Sequence, residues 1–141
     1  MLKQLLPVRT VRGFRKQQGG ATLVEFAVSI LLVLTVLFST IELCSAVYTY
    51  TVIADAANEG VRYAIVHSSD SAGAVSKVKA YAAYTLHDVS KIAVAVTYPD
   101  GSAVPPNRVA VSVTYQYIPY LNTFMANPPT MSAYAQGRLV Y

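Results

Sequence analysis

Two neighbouring features of the chain have the types and spacing to do chemistry: the Gly20-Ala21 bond, and Glu25, a carboxylate just inside a long apolar run. Ala21 and Glu25 are four residues apart, so on a helix they lie one above the other on the same face. Cutting the bond would give Ala21 an ammonium within reach of the Glu25 carboxylate, in its own chain or in a neighbouring one. Such an amine has a pKa of about 8 and is largely charged at neutral pH. Uncut, the carboxylate has no cation there, and an acid at bilayer depth costs about 2.5 to 3.5 kcal/mol. Cleavage would make it one half of a neutral pair. Glycine before the scissile bond leaves the backbone open to a protease.

The elements around this junction fit that chemistry. Residues 1–20 hold Lys3, Arg9, Arg12, Arg15 and Lys16, five of the eleven cations, and no acid precedes Glu25. Pro7, Gly13, Gly19 and Gly20 argue against a stable helix reaching the end of this stretch, which is predicted to be a basic cytosolic leader, cleaved off. From Ala21 onward six cations face seven acids, so the basic character belongs to the leader and suits a cytoplasmic flank. No basic stripe with interleaved aromatics points to nucleic acid.

Phe26 to Ile41 carries no charge, and its only polar groups are hydroxyls that can bond back to the helix's own carbonyls. Its sixteen residues span about 24 Å as a helix. With Ala21 to Val24 the stretch approaches the roughly 20 residues that cross a bilayer. Beyond Glu42, Val47, Tyr50, Ile53, Ala57, Val61, Ala64 and Ile65 recur at helical spacing. No proline interrupts Ala21 to His67, which predicts one helix of about 45 residues, membrane-spanning in its first half and amphipathic in its second. Gly60 inside it marks close packing or a weak point. Glu59 and Arg62 can pair on its exposed side.

Residues 67–141 read as a separate head. Ser68 to Gly73 is a polar loop, and a second helix is expected from about Ala74 to Val89, with Val75, Val78, Ala82, Thr85, Leu86 and Val89 on one face and Lys77, Lys79, Ala83, Tyr84 and His87 off it. The period then changes to two. Ile92 to Tyr98 reads as a strand, Pro99-Asp100-Gly101 as a turn, and Arg108 to Ile118 as a strand with Val109, Val111, Val113, Tyr115 and Tyr117 on one face. Pro119 to Pro129 leads to a last strand from Met131 to Tyr141. The class is α+β: a long helix, then one helix against a roughly three-stranded antiparallel sheet.

Other chemistry finds little support. Cys44 is the single cysteine, which excludes an intramolecular disulfide, and it reads as a small buried hydrophobe. His67 and His87 lack metal-ligand spacing, and Asp70 and Asp88 read as loop and helix-end residues. With no hydrolase, zinc, phosphate-loop or dinucleotide fingerprint, no enzyme, cofactor, metal site or small-molecule substrate is expected. Tyr98, Tyr115 and Tyr117 read as sheet-face packing. Tyr48 and Tyr50 suit either an interfacial aromatic belt or helix packing. Tyr120, Tyr134 and Tyr141 are candidates for a partner surface.

Gly20, Glu25 and the apolar run resemble, in register, the prepilins of the type IV filament superfamily, in which a small residue precedes the cut and a glutamate stands fifth after it. Val24-Glu25-Phe26 looks more specifically like the tight-adherence (Tad) branch and its TadE-like proteins. Ala56-Ala57-Asn58-Glu59-Gly60-Val61-Arg62-Tyr63-Ala64 is similar to the pattern that ends the TadE-like segment, so Glu59, Gly60 and Arg62 are carried as family-motif residues. The resemblance covers about Arg15 to Ala64. It implies processing by a prepilin peptidase between Gly20 and Ala21, and assembly with other pilins and Tad inner-membrane proteins, with Glu25 and Phe26 in the processing and assembly site. Major pilins of that branch are little more than the helix, so a head of 75 residues, 67–141, favours a minor pilin or pseudopilin. The expected location is the bacterial inner membrane, single-pass, with the N-terminus cytoplasmic. Two alternatives stay open: an uncleaved membrane scaffold of the secretion machinery, and a secreted adhesive module cut after Cys44-Ser45-Ala46.

Overall fold

A computed structural model describes residues 18–86, 88–120 and 129–140. The leader cations, His87, Tyr141 and most of the Pro119 to Pro129 segment lie outside the described residues. Helix α1 spans Gln18–Val66 and α2 spans Ser71–Ala83. A 3-10 turn at Val89–Lys91 leads to strands β1 (Ile92–Thr97), β2 (Arg108–Gln116) and β3 (Thr130–Arg138). The class is α+β, as the change of period indicates. The chain forms two compact units, one ending at Ser39 and one from Thr40 to Tyr141.

In the first unit α1 is helical from Gln18, three residues before the expected start at Ala21, so the glycine pair is taken into the first turn. Leu23, Val24, Phe26, Leu31, Leu32 and Val33 are all exposed there. An apolar surface that large needs lipid or protein to cover it. The hydroxyls of Thr35 and Ser39 donate to the carbonyls of Leu31 and Thr35, both at 2.8 Å, which removes their polarity from the helix surface. Among the described residues this is the one helix long and apolar enough to cross a membrane, compatible with a single-pass protein.

The second unit is built on a three-stranded antiparallel meander, β1-β2-β3. Val94 faces Val113, and Val113 faces Ala133. One face of the sheet carries Val109, Val111, Val113, Tyr115 and Tyr117, all buried as their alternation demands. Ile53, Ala56, Ala57 and Val61 of α1 and Val78 and Ala82 of α2 pack on that face. The buried stripe of α1 therefore starts later and lies slightly rotated from the expected one. Val47 and Tyr50 are exposed, while Val52 and Ala56 are buried. Cys44 is exposed as well, not the buried hydrophobe expected.

Helix α2 is shorter than its periodicity suggests, and its buried stripe is Ala74, Val78 and Ala82. Asp70 starts it, its Oδ1 accepting the Gly73 amide at 2.8 Å. It ends at Ala83 with Tyr84 as its C-cap. The Thr85 and Leu86 amides both close on the Ala82 carbonyl. Asp88 caps the 3-10 turn, its Oδ1 accepting from the Ser90 amide at 2.9 Å and the Ser90 hydroxyl at 2.6 Å. Leu86 still reaches the core, but Thr85 is exposed. Each strand ends one to three residues before the sequence pattern does, at Thr97, Gln116 and Arg138. The Pro99-Asp100-Gly101 turn forms as expected, Gly101 supplying the φ of +85° that other residues avoid.

Candidate functional site

Gly20, Ala21, Glu25 and Phe26 all lie on the first turns of α1, exposed. A Cβ on Gly20 would meet nothing within 4 Å. Among the described residues no hydrogen bond or ion pair engages Glu25. Its surroundings are apolar, with Leu23 and Val24 before it and Phe26 after it. A carboxylate so placed is matched only if a cation comes from outside the described chain, or from a new amine at Ala21.

The second motif divides. Gly60 is buried where α1 crosses α2 and β2, and a Cβ there would collide with the Val78 side chain and come within 3.3 Å of Val111. Of the two readings of Gly60, close packing is the one the structure supports. Glu59 and Arg62 face outward, 3.8 Å apart, with the Arg62 side chain 81% exposed. A pair so solvated contributes little to stability. Neighbouring motif residues thus do different jobs, Gly60 allowing helices and sheet to approach and Glu59 and Arg62 presenting charge.

Beside that pair, Tyr63 links the two helices. Its hydroxyl donates to Asp70 Oδ2 at 2.8 Å, and its ring stacks on His67 with centroids 4.3 Å apart. The Gly73 amide, then the Tyr63 hydroxyl, hold the Asp70 carboxyl below the usual range, and the same hydroxyl bond to Asp70 raises the Tyr63 pKa. Asp70, expected within a polar loop, is instead the N-cap of α2, which starts three residues before the expected Ala74. At the β1–β2 connection the Arg108 side chain, then its amide, hold Asp100 down to about 2. The guanidinium grips that carboxylate with Nε at 3.1 and 3.3 Å and a terminal nitrogen at 2.7 Å.

A third carboxylate matters more, though no local spacing singles it out. Glu42 is the first charge after the apolar run, and it accepts the Tyr117 hydroxyl at 2.7 Å and the Tyr120 amide at 3.1 Å. Burial first, and then this bond to Glu42, pushes the Tyr117 phenol well above its ordinary value. Tyr117 reaches Glu42 because the buried alternation of β2 carries on past the end of the strand. Two signals for this were present: an acid abutting an apolar run must find donors, and Tyr117 ends the one buried stripe able to supply a hydroxyl.

The arrangement defines a class: an apolar helix fit to span a membrane, continuing into a helix-on-sheet α+β unit. Within that class, residues 20–62 match the family model of TadE-like proteins. The match runs from Gly20 to Arg62 and so takes in Gly20, Glu25 and the motif residues Glu59, Gly60 and Arg62, and it supports a protein associated with Tad pili. No curated protein and no solved structure matches the chain.

Proposed function

We propose that this chain is a minor pilin or pseudopilin of a Tad (type IVc) pilus, matured by prepilin peptidase between Gly20 and Ala21 and contributing to pilus biogenesis and surface adherence. The observation that carries this reading is the TadE-like match, which starts at Gly20 and includes Glu25. The protein sits in the bacterial inner membrane by the first half of α1, N-terminus cytoplasmic, with its α+β unit outside. On assembly the helix exchanges lipid for the helices of other pilins, guided by the Tad inner-membrane proteins. The new Ala21 ammonium, its own or a neighbour's, meets Glu25 there and helps set the axial register. The role is structural, not catalytic. Because Gly19 and Gly20 each cost a helix about 1 kcal/mol relative to Ala, this turn unwinds readily for a protease.

That turn is nonetheless helical from Gln18 onward, which favours a second reading, an uncleaved single-pass scaffold of the secretion machinery. The N-terminus of the protein recovered from membranes separates the two. Maturation predicts a chain starting at Ala21, lost when the peptidase is deleted; an intact leader in peptidase-competent cells supports the scaffold.

A further inference from the structure

The two edges of the sheet are not alike. Helix α2 packs against β1, whereas no described strand pairs with the outer edge of β3. The Tyr117 amide donates to the Pro129 carbonyl and the Leu139 amide to the Asn107 carbonyl, so odd-numbered residues of this strand turn their main-chain groups toward β2. Thr130, Ser132, Tyr134, Gln136 and Arg138 therefore turn theirs to the open edge. Among the described residues those groups have no partner until Val140, whose amide donates to the Ile65 carbonyl at 3.2 Å. Nothing blunts this edge in the usual ways. Thr130–Arg138 contains no proline, and its only charge is Arg138 at the last position.

The edge is also self-complementary. Laid antiparallel on a second copy about a two-fold axis at Tyr134, it sets Tyr134 against Tyr134, Ser132 against Gln136 and Thr130 against Arg138. No like charges face each other, and the tyrosines form an aromatic cross-strand pair. On the core side the small residues Ala133 and Ala135 oppose one another, so the backbones can close to ladder distance. We propose that β3 is a homodimer interface, in which two copies join their sheets edge to edge into one six-stranded sheet. Such an isologous contact closes on itself and does not propagate, and it holds whether or not the leader is removed.

Site-specific cross-linking in the full-length chain, reconstituted in lipid vesicles with Cys44→Ser as background, tests this. Facing residues of a hydrogen-bonded antiparallel pair have Cα atoms about 5.5 Å apart, a span a disulfide bridges. Tyr134→Cys is expected to give at least ten times more disulfide-linked dimer under mild oxidation than Asp55→Cys, an exposed control on α1. Gln136→Pro removes an outward amide and leaves the β2 ladder intact, so combined with Tyr134→Cys it should abolish the cross-link. Should that variant unfold, charge exchange asks the same question. With cysteine at both 132 and 136 of every copy, so that each homodimer could also cross-link, Tyr134→Lys and Tyr134→Glu should each fail to cross-link alone and do so when mixed. Cross-linking at 134 no greater than at 55, indifference to the charge exchange, or capture only of a different protein's strand would each overturn the proposal.

Discussion

Glu25 and Glu42 bracket the same apolar run, and their surroundings are opposite. Glu25 lies on an exposed helical turn among leucine, valine and phenylalanine, with no partner among the described residues. Glu42 is half-buried and held by the Tyr117 hydroxyl and the Tyr120 amide. One carboxylate is completed by the fold of its own chain; the other finds no partner among the described residues. The difference teaches where to look for function. Satisfied polar groups report architecture, while an unsatisfied one in apolar surroundings reports a missing partner.

The sharpest way to break this comparison is to remove each acid in turn. Glu25→Ala should leave membrane insertion and the unfolding of the α+β unit unchanged, while incorporation into pili falls to background in a shearing and immunoblot assay. Efficient incorporation of that variant would sink the assembly role. Glu42→Ala should do the reverse to the fold, because the buried Tyr117 hydroxyl loses its 2.7 Å acceptor and keeps only the main-chain carbonyl of residue 42, at 3.4 Å. The expected loss is about 1 to 3 kcal/mol, read from denaturant unfolding of the full chain in micelles. Were Glu42→Ala as stable as the parent, the two acids would not differ in kind.

Which of these features the sequence could disclose follows from their range. The Glu25 junction, the helix through residue 66 and the alternation of β2 are local, so spacing alone exposes them. Gly60 was legible as an anomaly but not as a contact, since Val78 and Val111 come from other elements. The Glu42 network joins residues 75 positions apart, and no local period encodes it. The early end of α2 was hidden for a different reason. Its apolar period continues to Val89, but Asp88 and Ser90 offer the backbone hydrogen bonds that compete with another turn. Val47 and Tyr50 have the spacing of the packed face to within one residue, but the face that packs is set by the sheet, through Val52 and Ala56.

The finest test concerns how Glu42 is held. Tyr117→Phe keeps the ring in the core and removes only the hydroxyl, and Glu42 retains the Tyr120 amide and access to water. The loss should therefore be smaller than for Glu42→Ala, about 1 kcal/mol at neutral pH. Its pH dependence gives the cause. The folded Tyr117 pKa lies above the ordinary value of 10, through burial and then the bond to Glu42, so folding favours the neutral phenol. The stability it contributes is complete below about pH 10 and is lost as pH rises from there toward the folded value. Burial raises Tyr115 too, and the bond to Asp70 raises Tyr63, so parent and variant should both weaken in alkali. The gap between them is the diagnostic quantity: constant below about pH 10 and shrinking above it. A gap that stays constant to pH 12 would mean that folding does not favour the neutral phenol, and that Glu42 is held by the Tyr120 amide without it.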